Sequence, residues 1–209
     1  MAATPMQATT RLRLLEQAWP LIAQKGFANT SINDVLEAAH VPKGSFYYYF
    51  SSKDIFGQEV LQYNMREHAD AIRMFLSRPH LTGMERMMAY WSSWAERESN
   101  PDPRQKCLIV KIGSEVSELS DGMRVVMERG IDMLVALLDG GIRAGVNDGS
   151  ICPVIEPAHV ARELFHYWLG NAVAFKIHRN PPRLIRALDI TRTILLGLRS
   201  EQDMPVAVP

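Results

Sequence analysis

Apolar residues recur at helical spacing through almost the whole chain, and nowhere do they alternate for long enough to make a strand. Near the start, Leu12, Leu15, Trp19 and Ile22 fall at i, i+3, i+7 and i+10, one stripe of a helix. Lys25-Gly26 stops that helix, because glycine takes the left-handed conformation at low cost. Pro20 lies inside it and removes the bond to the Glu16 carbonyl, which predicts a kink or a local tilt. A short second helix is expected from Ser31, the N-cap, with Asp34 placed as a capping-box acid, to about Ala39. Pro42 suits the first turn of a third, over Lys43 to Tyr49, and Ser51 or Ser52 caps a fourth from Lys53 to about Leu76.

Longer helices follow. They are predicted over Leu81 to Glu98, Cys107 to about Leu119, Gly122 to Ala144, Pro157 to Arg179, and Pro182 to about Ser200, with Asp203 to Pro209 frayed. Pro-rich Asn100-Pro101-Asp102-Pro103 and turn-like Asn147-Asp148-Gly149-Ser150 break the series. The expected fold is all-α, about nine helices, with an N-terminal three-helix domain over 1–52 and a longer helical body over 53–209.

The chain has 209 residues, long enough for a sizeable core, and 23 Lys+Arg balance 23 Asp+Glu. A neutral protein carries no polybasic coat, so any nucleic-acid site must be a small local patch. The longest apolar run, Met133 to Leu138, is far below the ~20 residues a bilayer span needs. The N-terminus has no apolar leader segment. No membrane partner is expected. Two cysteines, Cys107 and Cys152, are too few for a disulfide framework or structural zinc, which points to a reducing cytoplasm. The six histidines show neither HxxxH nor HExxH spacing, so neither a metal site nor a cofactor is expected.

The chemistry concentrates in two places. Pro42 to Phe50 reads Pro-Lys-Gly-Ser-Phe-Tyr-Tyr-Tyr-Phe, joined to the preceding helix by Ala39-His40-Val41-Pro42, a length that suits a helix-turn-helix. Phe46 and Phe50, at i and i+4, anchor one face. Lys43, Ser45, Tyr47 and Tyr48 then lie on or near the other, and no helix face can bury three consecutive tyrosines. Gly44 lets backbone N–H groups come close to a phosphate, and tyrosines can bond phosphates or touch thymine methyls. From Ala38 to Ser52 there is no acidic residue.

The ordered string Gly26-Phe27, Thr30-Ser31-Ile32, Val41 to Phe50 and Ser52-Lys53 resembles the helix-turn-helix domain of the TetR family of transcriptional repressors, over residues 9 to 57. The resemblance implies a homodimer on a palindromic double-stranded DNA operator. Ser31, Lys43, Tyr48, Tyr49 and Lys53 would hold phosphates, and Ser45 and Tyr47 would meet base edges. Tyr48 stands where that family often has histidine. The last two long helices would pair with their symmetry mates, with Leu184, Leu188, Leu195 and Leu198 as an apolar interface.

The second place is Cys107, between Lys106 and Leu108 at a predicted helix start, where the helix dipole and Lys106 and Lys111 favour a thiolate. Residues 107 to 124, with Tyr167-Trp168-Leu169-Gly170-Asn171 and Lys176, are similar to the NemR-like branch of the family, which senses electrophiles through a cysteine here. Lys106 replaces the glycine usual in that branch. Lys176 continues the stripe Phe165, Trp168, Ala172, and is either the amine that meets Cys107 or a lysine reaching solvent beside His178 and Arg179. A small-molecule electrophile or oxidant is thus the expected inducer. The alternative is reversible binding of an apolar or amphipathic ligand in a pocket lined by Trp91, Trp94, Lys111 and Trp168. A cysteine hydrolase with Cys107 as nucleophile and His166 as base would leave the helix-turn-helix string unexplained, so no enzyme is expected.

Overall fold

The computed structural model describes residues 5–153, 156–180 and 182–198. Nine α-helices are formed among them: α1 Pro5–Lys25, α2 Ile32–Ala38, α3 Phe46–Tyr49, α4 Lys53–Leu76, α5 Gly83–Ser99, α6 Leu108–Leu119, α7 Asp121–Asn147, α8 Pro157–His178 and α9 Pro182–Leu195. No strand occurs among the described residues. The expected tail Asp203 to Pro209 lies outside them. The chain forms two compact units, the described residues of Met1–His68 with Asn100–Asp132, and those of Ala69–Ser99 with Met133–Pro209. Compactness therefore cuts the chain elsewhere than the functional boundary expected at 52/53, and α6 shares a unit with α1 to α3.

In the first unit, α1 runs unbroken through Pro20. Its buried stripe is Leu14, Leu15, Ala18, Trp19 and Ile22, while Leu12 is exposed, a correction to the expected stripe. Gly26 ends the helix at φ +84°, and its amide donates to the Ile22 carbonyl at 2.9 Å. Ser31 caps α2 in a complete box: Asp34 N donates to Ser31 Oγ at 3.1 Å, and Ser31 N to Asp34 Oδ2 at 2.8 Å. The rings of Phe46, Phe50 and Phe56 meet at centroid distances of 4.8 to 5.4 Å and close the core under α3.

In the second unit, α5 starts against the end of α7. Gly83 N donates to Asp148 Oδ2 at 2.7 Å and Met84 N to Ser150 Oγ at 3.0 Å, so the α7 turn satisfies amides that a helix start leaves open. A Cβ on Gly83 would lie 2.2 Å from the Gly145 Cα, which fixes glycine at this crossing. α9 packs on α5 and α8 through Leu184, Ala187, Thr191 and Leu195. Leu184 and Leu195, expected to face a partner, are thus in this chain's own core, at 2% and 0% exposure. Of the expected four, Leu198 is exposed, and the 3.6-residue period turns Ile185 and Leu196 outward with it, along with Val173 and Ile177 on α8.

Candidate nucleic-acid interface and thiol site

The turn between α2 and α3 is a Schellman closure. His40 N donates to the Glu37 carbonyl at 3.1 Å and Val41 N to the Leu36 carbonyl at 2.9 Å. Val41 and Leu36 are both buried beneath it. The pattern puts His40 in the left-handed region, φ 52°, where glycine would be the usual choice. Nothing in the residue's identity signals that strain. Pro42 then leads extended into a 3-10 turn over Lys43–Ser45, closed by Ser45 N on the Pro42 carbonyl at 3.0 Å. The helix expected over Lys43 to Tyr49 therefore begins as a 3-10 turn and is α-helical only over Phe46–Tyr49.

This short rod has two faces. Phe46 and Phe50 are 1% and 2% exposed, whereas Tyr47 and Tyr48 are 70% and 67% exposed. Lys43 and Gly44 are exposed; Ser45 and Tyr49 are half-buried. A Cβ on Gly44 would meet nothing within 4 Å, so the fold itself does not require glycine there. Ser31 spends its hydroxyl on the α2 cap. Lys53 is tied inward: Nζ donates to the Ala28 carbonyl at 3.2 Å and lies 5.1 Å from the centre of the Phe27 ring. The Lys25 ammonium and the Ser31 amide and hydroxyl beside Asp34 hold its carboxyl down at about 2.

Cys107 is the N-cap residue of α6, 8% exposed, and its side chain makes no capping hydrogen bond. The residue thus stands at a helix start, where unpaired amides favour negative charge, without its sulfur capping one of them. The segment before it is braced. Asp102 pairs with Arg104, which pulls the Asp102 carboxyl below its ordinary value, and Trp19 Nε1 donates to the Arg104 carbonyl at 3.0 Å. Two turns along α6, Glu115 accepts from Ala28 N at 2.7 Å and Phe27 N at 3.2 Å. The sequence gives no sign of this contact, which spans 88 residues. Lys106 is half-buried and Lys111 exposed.

In the second unit, Trp91 and Trp168 stack at 4.9 Å and 8°, with Trp94 edge-on to Trp168 at 5.2 Å. Each is at most 3% exposed, so these rings fill one another's space. Trp168 Nε1 donates to Thr191 Oγ1 at 3.0 Å, and Thr191 donates on to the Ala187 carbonyl at 2.7 Å. Lys176 is half-buried near the end of α8. A groove of about 400 Å³ opens elsewhere in this unit, between Arg73, Leu76, Ser77, Arg86, Leu137 and Gly141. Among the described residues no His, Cys, Asp and Glu side chains group so as to hold a metal, and no helix is long and apolar enough to cross a membrane.

An N-terminal helix-turn-helix with an outward tyrosine face, followed by a helical body, defines a DNA-binding regulator. The chain belongs to the TetR family: residues 14–57 match the bacterial regulatory proteins, tetR family, and residues 83–191 the tetracyclin repressor-like C-terminal domain. It is 31% identical over 186 residues to the HTH-type transcriptional repressor NemR of Escherichia coli K12, covering 89% of this chain and 94% of that protein. It is also 31% identical over 196 residues to the HTH-type transcriptional repressor DhaR of Mycobacterium sp. GP1, covering 94% and 95%. Its fold matches the crystal structure of E. coli NemR in the reduced form with a TM-score of 0.82 at 33% identity, over 90% of this chain and 98% of that one. The family is one of regulators, not enzymes, and the hydrolase reading falls with it.

Proposed function

We propose that this protein is a cytoplasmic repressor that binds a palindromic operator as a homodimer and lets go when Cys107 is modified. The observation that carries the DNA reading is the outward face of α3 and the turn before it. Tyr47 and Tyr48 are 70% and 67% exposed, beside a Gly44 at which an added Cβ would meet nothing in the fold. Ser45 and Tyr47 would read base edges; Lys43, Gly44, Tyr48 and Tyr49 would hold phosphates. Ser31 and Lys53 contribute by fixing the start of α2 and the turn before it as well as by touching the backbone of the duplex. The exposed Val173, Ile177, Ile185, Leu196 and Leu198 offer the apolar surface for a second copy.

The release chemistry starts from the thiolate. It adds to the β-carbon of an α,β-unsaturated carbonyl compound: the S–C bond forms, the π pair moves to the carbonyl oxygen, and the resulting enolate takes a proton from water. A peroxide can instead transfer an oxygen to sulfur, giving the sulfenic acid and hydroxide. Either product adds bulk at a site that is 8% exposed, so the start of α6 must move to hold it. The two α3 helices of a dimer must sit about 34 Å apart to enter successive major grooves, so a small displacement is costly. A coupling of ~3 kcal/mol changes operator affinity by over a hundredfold. Lys176 contributes to the oxidant response, so Lys176→Met should shift the oxidant dose that releases DNA.

A gel shift on DNA flanking the protein's own gene, with and without N-ethylmaleimide, tests this. Wild type should release and Cys107→Ser should not. The second reading, reversible binding of an amphipathic anion, is favoured by the groove with Arg73 and Arg86 at its walls and Leu76 and Leu137 beside them. Release of Cys107→Ser by a non-electrophilic amphipath would support that reading instead.

A further inference from the structure

Every polar backbone group at the start of the Gly26–Ser31 turn has a defined partner. Gly26 N goes to the Ile22 carbonyl, Thr30 Oγ1 donates to the Gly26 carbonyl at 2.6 Å, and Thr30 N donates to the Phe27 carbonyl at 3.2 Å. With Gly26 left-handed, the next two amides, Phe27 N and Ala28 N, point the same way and make an anion-accepting nest. The anion that fills it is Glu115 of α6. A Cβ on Gly26 would come within 2.9 Å of Glu115 Oε2, so glycine is needed both for its φ and to admit the carboxylate. On the other side of the turn, Lys53 Nζ donates to the Ala28 carbonyl, adding a cation beside the seat.

Glu115 lies eight residues after Cys107 on one continuous helix, about 12 Å along its axis. Leu108, Ile112 and Val116, all buried, make that helix a packed rod rather than a loose segment. Arg104, three residues before the cysteine, holds Trp19 of α1. The stretch that carries the thiol thus grips α1 near its middle and the turn that launches α2, all within one compact unit.

We propose that Glu115 is a positioning residue for operator binding: seated in the Phe27–Ala28 nest, its carboxylate carries a displacement of α6 to α2 and α3. This rests on the reading of Cys107 as the sensor only for the origin of the displacement. The seat itself sets the α2–α3 pair in the reduced protein. Glu115→Gln keeps the shape but loses the charge, and Glu115→Asp keeps the charge but falls short of Ala28 N.

The test is operator affinity of the full-length dimer in a Cys152→Ser background, before and after N-ethylmaleimide, with amide exchange followed at Phe27 and Ala28. Reduced Glu115→Gln should bind at least about tenfold more weakly than its parent and exchange both amides faster, at an unchanged rate of Cys107 labelling. Alkylation should then weaken it less than about threefold further, against over a hundredfold in the parent. Glu115→Asp should deviate in the same direction by less. If Glu115→Gln is weak and the parent is not released by alkylation, the seat stands and the thiol reading fails. If Glu115→Gln binds as tightly as the parent, the seat is overturned whatever the thiol does. Weak binding with the parent's full response to alkylation makes Glu115 merely structural, and also overturns it.

Discussion

Gly26→Ala isolates the seat energetically. Alanine at φ +84° costs about 1–2 kcal/mol. Its Cβ would also stand 2.9 and 3.1 Å from the two Glu115 oxygens, so something must shift, and the shift expected is that of the flexible carboxylate off its two amides. Two hydrogen bonds to a charged acceptor go with it; each would contribute about 1.5–3 kcal/mol if shielded and about half the lower figure here, because Ala28 is exposed, so about 1.5 kcal/mol for the pair. Gly26→Ala should therefore destabilise by about 3 kcal/mol, and Glu115→Ala by about 1.5 kcal/mol. Once the carboxylate is displaced its removal costs little more, so the double variant should be about as stable as Gly26→Ala alone, a coupling of about 1.5 kcal/mol. Urea unfolding at one fixed protomer concentration reads all four proteins. Additive losses, with the double variant down by about 4.5 kcal/mol, would refute the claim that Gly26 and Glu115 act at one seat.

Other outcomes follow from the same geometry. Phe46→Ala, which empties a site 1% exposed, should cost about 3–5 kcal/mol in urea unfolding. Tyr47→Ala, at 70% exposure, should stay within about 0.5 kcal/mol of wild type while weakening operator binding by about 1–3 kcal/mol in anisotropy titrations. Thr191→Val orphans the buried Trp168 indole N–H and should cost about 1–3 kcal/mol, with Thr191→Ser restoring most of it. Asp34 titrates at about 2 when folded against 3.8 unpaired. A depressed carboxyl stabilises above its unfolded value, so its contribution should be complete above about pH 4 and lost as pH falls toward 2. Asp34→Asn should remove that part of the acid limb of a urea-midpoint profile.

Local rules carried the sequence reading a long way. The N-cap at Ser31, the stop at Gly26 and the span Lys53–Leu76 all rest on interactions within a few residues, which spacing encodes. The split of Phe46 and Phe50 from Tyr47 and Tyr48 was legible for the same reason. Tertiary facts were not. Periodicity marks Leu12 and Leu184 alike as apolar, but which neighbour covers each is set by distant segments, and one came out exposed and the other buried. Trp91, Trp94 and Trp168 read equally well as cavity lining or as core until their mutual stacking is known. Glu115 is an unremarkable helix acid in the sequence; only the fold brings it to the Phe27 and Ala28 amides. Lys53, expected at a phosphate, also donates to the Ala28 carbonyl, a contact that no local pattern encodes.

On the proposed function, overall neutrality, 23 basic against 23 acidic residues, should make operator affinity depend on two half-sites engaged together, with a salt slope set by few phosphates. One sulfur atom, that of Cys107, is proposed to govern this engagement. Fluorescence anisotropy of a labelled palindromic operator, titrated with Cys152→Ser protein before and after stoichiometric N-ethylmaleimide, measures it directly. Alkylated protein should bind over a hundredfold more weakly, a loss absent in Cys107→Ser. Equal affinities before and after complete alkylation of Cys107 would contradict it.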